Sequence, residues 1–377
     1  MQTLFYKNRF TRLQKLLLAA IAAAIVWLLS EIPVLAEHLF ARGITRALNF
    51  LLGKISALFP FSLYELTAFL LIFGAVALVV GVVLLLKNRQ FARLKIWLYR
   101  LAMAGLCVLI SFGVLYAPLY QRPSAQSALG LEESVLTEEK VYLAARYYVQ
   151  ELNVLSERME RDGQGNIIPS LSFSQTADEL NKSFSALGTS YFAFFEVRPK
   201  PVAFSVLMSY LGITGIYFPF YAEANINTNV PAYTLPVTMA HEMTHAKGVS
   251  QEGEANVAAY VLCIRSENDT IRYSGLMSAA ASMINALPEE EYREVYGLLS
   301  EEVKREYHNA NEHYDKYEGI IDTLSSFFND LFLKANGVPG GTRSYSDTVG
   351  SLVSLWEQLN THSKGRFGRP FGMYERD

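Results

Sequence analysis

Three long apolar stretches near the N-terminus limit what this 377-residue chain can fold into. They cover residues 16–35, 66–86 and 101–119, and the last two contain no charged residue. A helix needs about 20 apolar residues to cross a bilayer, so the pattern predicts three membrane-spanning helices. Only 18% of the residues are charged, against about 25% in a typical soluble chain. The net charge of −3 comes with no basic patch, which argues against a nucleic-acid partner.

A cleaved signal peptide is the alternative interpretation of the first apolar stretch. Signal peptides have an apolar segment of about 7–15 residues followed by small residues at the cleavage site. Residues 16–35 are longer than that, and no clear cleavage site follows them. We therefore expect residues 1–120 to form a membrane anchor.

The basic residues around the apolar stretches predict the orientation. They cluster before the first stretch and in the short loop between the second and third: Lys7, Arg9, Arg12, Lys15, Lys87, Arg89, Arg93, Lys95 and Arg100. The positive-inside rule places both clusters in the cytoplasm, so residues after 119 lie outside. The scarcity of cysteine, with two in the chain, is typical of a bacterial envelope protein stabilised by its core. Residues 42–62 have apolar side chains at helical spacing and are expected on the membrane surface.

Residues 121–377 have the pattern of a mainly α-helical extracytoplasmic domain. Thr137 and the following acids are typical of a helix start, and apolar residues then recur at helical steps to residue 155. Further helices are predicted over 270–287, 289–307, 311–335 and 344–360. Residues 212–230 interrupt the helical pattern with glycines, a proline and alternating side chains, which predicts a small strand or hairpin.

A His-Glu-x-x-His motif follows that hairpin. Pro236 can open a helix and Gly248 can close it. His241 and His245 are four residues apart, so they share one helical face and can both bind one Zn²⁺ through imidazole nitrogen. Glu242 lies beside them and can act as a general base without binding the metal.

An acidic third ligand is predicted just after the motif. If Ser250 caps a second helix, Glu252 and Asn256 lie on one face of it. Glu252 can then complete the metal site and Asn256 can orient a ligand. Glu254 is the alternative ligand, although it points to a different side of the helix. Both acids could instead be solvated charges in a first helical turn.

These residues resemble the gluzincin metallopeptidases, which combine the histidine motif with a glutamate on a later helix. Glu252-Gly-Glu-Ala-Asn256 is similar to the sequence around that glutamate, and the resemblance implies a zincin-like fold with Glu252 as the zinc ligand. The gap from His245 is shorter than most gluzincins have. The whole chain resembles an uncharacterised bacterial membrane family, domain of unknown function 3810. That resemblance covers nearly all of the chain, including the apolar N-terminal stretches, and rests on these motifs: Pro199-Lys-Pro-Val, Gly215-Ile-Tyr-Phe-Pro-Phe, Glu223-Ala-Asn-Ile-Asn-Thr, the histidine motif, Glu252-Gly-Glu-Ala-Asn256, Leu333-Lys-Ala-Asn-Gly and Ser344-Tyr345.

The sequence thus predicts a membrane-anchored zinc metallopeptidase that hydrolyses peptide bonds outside the membrane. Asn225, Ile226 and Asn227 could bind the substrate backbone as an added strand, or their segment could be a loop over the core. Candidate stabilisers of a transition-state oxyanion are Tyr217, His308, His313, Arg343 and Tyr345. The alternative function is a non-catalytic, membrane-anchored binding module with a structural metal, and a transporter is less well supported by three spans without an intramembrane charge pair.

Overall fold

The computed structural model describes residues 11–132, 134–319, the positions 323, 325–326 and 330, and residues 348–366. These residues are mainly α-helical, with one small three-stranded sheet. They divide into two compact units. The predicted helix over 311–335 falls largely outside the described residues, as do the motifs at 333–337 and 344–345.

The first unit contains residues up to Pro123 and the separate segment Phe218–Glu223. Its helical elements are α1 (Arg12–Ser30), α2 (Pro33–Leu35), a π-helix (Ala36–Ile44), α3 (Thr45–Ser56), α4 (Leu63–Lys87), α5 (Phe91–Leu115) and a 3-10 turn (Ala117–Gln121). Three helices are long and apolar enough to cross a membrane: Arg12–Ser30, Leu63–Lys87 and Phe91–Gln121. Helices of the predicted length and composition are therefore present at all three apolar stretches. The second and third extend beyond their stretches, whereas the first begins earlier, at Arg12, and ends at Ser30, before the predicted end at residue 35. The predicted surface segment forms the π-helix and α3.

Local sequence explains how these helices begin and pack. Thr11 and Gln14 form a capping box at the start of α1, and Ser62 caps α4. The Trp27 ring of α1 stacks on Phe112 of α5 with centroids 6.1 Å apart. A side chain at Gly113 would come within 2.8 Å of Val26, so this glycine lets α1 and α5 approach closely.

The segment Phe218–Glu223 joins the first unit through buried polar contacts. The Glu223 carboxylate accepts hydrogen bonds from Ser56 Oγ (2.9 Å) and from the backbone amides of Leu63 (3.3 Å) and Tyr64 (2.9 Å). These amides belong to the first turn of α4, where unpaired N–H groups and the helix dipole favour a carboxylate. The predicted domain boundary at residue 120 made each domain one continuous stretch of chain. In the structure, the later segment Phe218–Glu223 groups with the first unit.

The second unit contains Ser124–Tyr217 and Ala224–Asp377. A 3-10 turn (Ser127–Leu129) precedes its helices and strands, which are α6 (Glu138–Ser156), α7 (Phe173–Ala186), β1 (Lys200–Pro201), α8 (Ser205–Tyr210), β2 (Gly215–Phe218), β3 (Glu223–Ile226), α9 (Thr234–Ala246), α10 (Glu252–Ile264), α11 (Asp269–Asn285), α12 (Glu289–Gly297), α13 (Glu301–Asp315) and α14 (Thr348–Arg366).

Helix caps explain one predicted helix that is observed and one that is not. Thr137 caps α6 as expected, with its side chain accepting from the amide of Lys140. The single helix predicted over 289–307 is wrong, because the chain breaks before Ser300. The Ser300 side chain caps α13, and its own amide donates to Asn153 Oδ1 at 2.9 Å. A helix cannot run through a residue held in this extended capping conformation.

The core of the second unit is built from α6, α9, α10 and α11. Tyr148, Met239 and Ile271 come from three of these helices and are fully buried. A side chain at Gly275 of α11 would come within 2.7 Å of Cys263 of α10, so the glycine permits close packing of these helices. Helix α9 is therefore enclosed by its neighbours, and its side chains are held in fixed positions.

The sheet has the order β1-β3-β2, so β3 is its central strand. Strand β1 runs parallel to β3, with Lys200 opposite Asn225 and Pro201 opposite Ile226. The predicted hairpin corresponds to β2 and β3. Strand β1 was not predicted, because two residues carry no readable periodicity.

Candidate metal centre

Helix α9 carries His241, Glu242 and His245. It begins two residues before the predicted start, and Pro236 lies in its first turn, where no amide donor is needed. It ends before Gly248, whose φ of 104° reverses the chain. The histidine motif thus lies in the second half of a buried helix.

Helix α10 returns beside α9 after a short turn. Its N-cap is Gln251, which makes no capping hydrogen bond, so the prediction that Ser250 caps this helix is wrong. Ser250 is instead fully buried within the turn. Glu252 is the first residue of α10 and faces the two histidines.

The ligand atoms of His241, His245 and Glu252 converge. Nε2 of His241 lies 3.1 Å from Glu252 Oε2 and 3.0 Å from Nε2 of His245. The distance from Nε2 of His245 to Glu252 Oε2 is 3.6 Å. Ligands at about 2.0–2.1 Å from a tetrahedral zinc ion are about 3.3 Å apart. The three donors could therefore hold a metal ion, and zinc is one ion that accepts such ligands at this spacing.

The protonation of His245 is set by its neighbours. Its Nδ1 lies 2.6 Å from the carbonyl oxygen of Val249, which fixes Nδ1 as the N–H donor and directs Nε2 to the metal centre. Burial opposes the charged imidazolium, but Glu252 outweighs burial and raises the pKa of His245 to about 9. Burial likewise opposes ionisation of Glu252, yet His245 and His241 lower its pKa. The site thus favours a cation beside this carboxylate.

Glu242 lies next to the three ligands but is not one of them. Its side chain is buried, one carboxylate oxygen accepts a hydrogen bond from the Tyr217 backbone amide, and Oε2 has no hydrogen-bond partner in the described part of the chain. Burial raises the pKa of this carboxyl group. A side chain at Gly215 would come within 2.7 Å of Glu242, so strand β2 lies directly against the carboxylate.

Glu254 and Asn256 do not take part in the metal centre. Glu254 Oε2 accepts a hydrogen bond from the amide of Ala125 at 2.9 Å. Among the described residues, Asn256 makes no hydrogen bond to either histidine or to Glu252. The structure therefore brings Glu252, and not Glu254, to the histidines, and it gives Asn256 no orienting contact.

Lys247 stabilises the turn between α9 and α10. Its buried ammonium group donates to the carbonyls of Phe195 (2.7 Å) and Ala193 (3.2 Å) and lies 4.9 Å from the centroid of the Phe184 ring. Burial lowers the pKa of Lys247 to about 8. Neither Lys247 nor the Val249 carbonyl belongs to a recognisable motif, so their roles could not be predicted from the sequence.

The candidate oxyanion stabilisers are scattered. Tyr217 stacks on His245 with ring centroids 6.3 Å apart, and burial raises the pKa of its hydroxyl group. His308 is exposed and pairs with Glu312, while His313 lies 2.9 Å from the carbonyl of Asn229. Arg343 and Tyr345 lie outside the described residues. Tyr217 is the described candidate that contacts the metal centre.

The segment predicted to bind substrate lies in and just after the central strand. Asn225 and Ile226 pair with β1, and all three predicted residues are buried. Asn225 and Asn227 also donate side-chain hydrogen bonds to the carbonyls of Ile216 and Ile213. A strand with neighbours on both sides has no free edge to which a peptide could add, so the structure favours the alternative in which this segment packs in the core. A role of Asn225, Ile226 and Asn227 in substrate binding stays a prediction.

Comparison with known proteins identifies a family without an assigned activity. The family model described as protein of unknown function (DUF3810) matches residues 40–353, and the chain belongs to this family. No curated protein and no solved structure matches the chain. The likeness to zincins rests on the His-His-Glu group.

Proposed function

We propose that this protein is a membrane-anchored zinc metallopeptidase that hydrolyses peptide bonds on the outer side of a bacterial cytoplasmic membrane. The observation that carries the proposal is the group of His241, His245 and Glu252, with Glu242 beside it but outside the ligand set. A structural zinc site has four protein ligands and leaves no open position. Three convergent ligands with an adjacent buried carboxylate instead match a catalytic site.

The proposed chemistry divides between the metal and Glu242. When bound, zinc supplies a Lewis acid that acidifies water and polarises a carbonyl group. Glu242 Oε2 accepts the proton from the attacking water and later transfers it to the leaving amine. The Tyr217 amide holds the other oxygen of Glu242, which keeps Oε2 directed at the reaction.

Strand β2 is the proposed binding strand for the substrate. It forms an edge of the sheet, and Gly215 lies against Glu242. An extended peptide that paired with this edge would place its backbone near the carboxylate.

The proposed orientation follows from the positive-inside rule applied to the three helices that can cross a membrane. The N-terminus and the loop after Lys87 would be cytoplasmic. The second unit would then face outward.

Metal analysis and peptidase assays on the full chain in detergent test the proposal. We expect about one zinc ion per chain and cleavage of a fluorogenic peptide mixture. Glu242→Gln should retain zinc and lose activity by about 10²–10⁴-fold, because it removes the general base. Glu252→Gln should lose zinc, whereas the matched variant Glu254→Gln should keep both zinc and activity.

Two results would contradict the proposal. A wild-type chain that holds no zinc at neutral pH would remove the metal assignment. A Glu242→Gln variant with zinc and undiminished cleavage would leave the metal assignment intact but exclude the catalytic role of Glu242, which would favour the binding-module alternative.

A further inference from the structure

The segment between α1 and α4 buries polar side chains and exposes apolar ones. Glu37, Thr45 and Asn49 are buried, whereas Leu39 and Leu51 are among the large apolar residues left exposed. A water-soluble surface would have the opposite arrangement. This pattern suits a segment whose outer side faces lipid.

The π-helix brings two charged residues of this segment together. Glu37 and Arg42 are five residues apart, the spacing that one π-helical turn aligns, and Arg42 Nε lies 2.6 Å from Glu37 Oε1. Arg122 forms a second, buried ion pair with Glu37: its Nε donates to Oε2 at 2.7 Å and its Nη2 donates to Oε1 at 3.3 Å. One carboxylate therefore binds two guanidinium groups.

Arg46 adds a third guanidinium group. Burial lowers its pKa, and repulsion from Arg122 and Arg42 lowers it further, while Glu37 is the acid that opposes this effect. The cluster of Glu37, Arg42, Arg46 and Arg122 thus has three positive charges and one negative charge, an excess of two positive charges. Asn49, one helical turn beyond Arg46, is also buried, and its Oδ1 has no hydrogen-bond partner among the described residues.

The position of this arginine cluster indicates its ligand. Glu37 follows the end of α1 by seven residues, and Arg122 directly follows the third span at Gln121. The cluster therefore belongs to the level where both spans would leave the bilayer, which is the level of the lipid phosphates. Guanidinium groups bind phosphate through paired, charge-assisted hydrogen bonds.

We propose that Arg42 and Arg46, backed by the buried Arg122, form a binding site for the phosphate group of an anionic phospholipid. Arg42 is the most exposed of the three arginines and would meet the headgroup first. The exposed apolar side chains of α3 would contact the acyl chains. This inference does not depend on the proposed peptidase activity.

Lipid binding to the full chain in detergent tests the site. Native mass spectrometry and thermal shift would be measured with phosphatidylglycerol, phosphatidylcholine and inorganic phosphate. Phosphatidylglycerol should remain bound and raise the unfolding temperature more than phosphatidylcholine does. Arg46→Gln should weaken this binding about tenfold, because it removes a charged hydrogen-bond donor. The control Lys54→Gln removes a positive charge from the same helix, outside the cluster, and should leave binding unchanged.

The remaining outcomes would overturn the lipid assignment. Equal weakening by Arg46→Gln and Lys54→Gln would mean general surface attraction, and an equal effect of inorganic phosphate would mean a site for the free anion. Equal binding of both lipids with no effect of Arg46→Gln would mean an internal ion-pair cluster without a ligand. If Arg46→Gln does not fold, Arg42→Gln supplies the same test at a more exposed position.

Discussion

At the residue scale, Gly215 sets the position of the proposed general base. Its missing side chain leaves the space in which the Glu242 carboxylate lies. No sequence motif marks this role, because it depends on a contact between residues 27 positions apart.

Gly215→Ala should displace Glu242 and lower the catalytic rate while leaving zinc bound. The added methyl group would lie 2.7 Å from Glu242 Cγ and Oε1, and a misplaced base of this kind costs up to about 10²-fold in rate. Zinc content and peptidase rate would be measured together. Gly297→Ala is the control, since its added methyl group would meet no described atom within 4 Å apart from its chain neighbours and the backbone of its own helix. Equal activity in both variants would show that Glu242 tolerates the methyl group.

The sequence was sufficient to predict that His241, His245 and Glu252 come together, but not what surrounds them. Helical spacing alone places His241 and His245 on one face, and the preference for Glu252 follows from the same periodicity. The Val249 carbonyl and the Tyr217 amide could not be predicted, because backbone groups carry no side-chain signature. The orienting role of Asn256 stays a prediction: its spacing is right, but no hydrogen bond joins it to either histidine or to Glu252 among the described residues.

At the element scale, zinc would join α9 to α10 across a short turn. Zinc that binds the folded state alone should stabilise these two helices by about 2.7 kcal/mol at a hundred times its dissociation constant. Hydrogen exchange in α9 and α10, with and without a chelator, would measure this effect. Wild type and Glu242→Gln should both respond to the chelator, and Glu252→Gln should not. A response in Glu252→Gln equal to that of wild type would contradict the ligand assignment.

Helix α13 is held by a buried ion pair. The Glu306 carboxylate pairs with Arg161 at 2.7 Å and accepts from the Tyr273 hydroxyl at 2.8 Å and the Ile167 amide at 3.1 Å. Glu306→Ala should destabilise the second unit by about 3–5 kcal/mol, because it leaves a largely buried arginine unpaired. Hydrogen exchange in α11 and α13 would report the loss.

Glu301→Ala is the matched control for Glu306→Ala. Glu301 lies on the same helix and pairs with Lys304 at the surface, so its removal should leave exchange unchanged. Similar effects of the two substitutions would mean that the buried network contributes nothing beyond a surface pair. The sequence predicted a helix here but not the network, which joins residues far apart in the chain.

At the scale of the whole molecule, the apolar stretches predicted the three long helices. The length and apolar composition of a stretch are enough to predict such a helix without knowledge of its contacts. The sheet order and the segment Phe218–Glu223 could not be predicted, because both depend on long-range contacts.

Fusions to reporter enzymes test the proposed orientation. Alkaline phosphatase joined after residue 123 should be active, because it would be exported, and the same enzyme joined after residue 89 should be inactive. A green fluorescent protein at the same two positions should give the reverse pattern. Export from both positions would contradict the predicted topology.

The contacts of Glu223 also constrain the order in which the protein can fold during synthesis. The carboxylate that accepts hydrogen bonds at the start of α4 is made only after residues 124–217. At about 5–20 residues per second, the ribosome needs about 5–20 s to make this intervening segment. Throughout that time the first turn of α4 lacks its acceptor, although the helix has already been translated. The first unit therefore reaches its final structure only after more than half of the chain has been made.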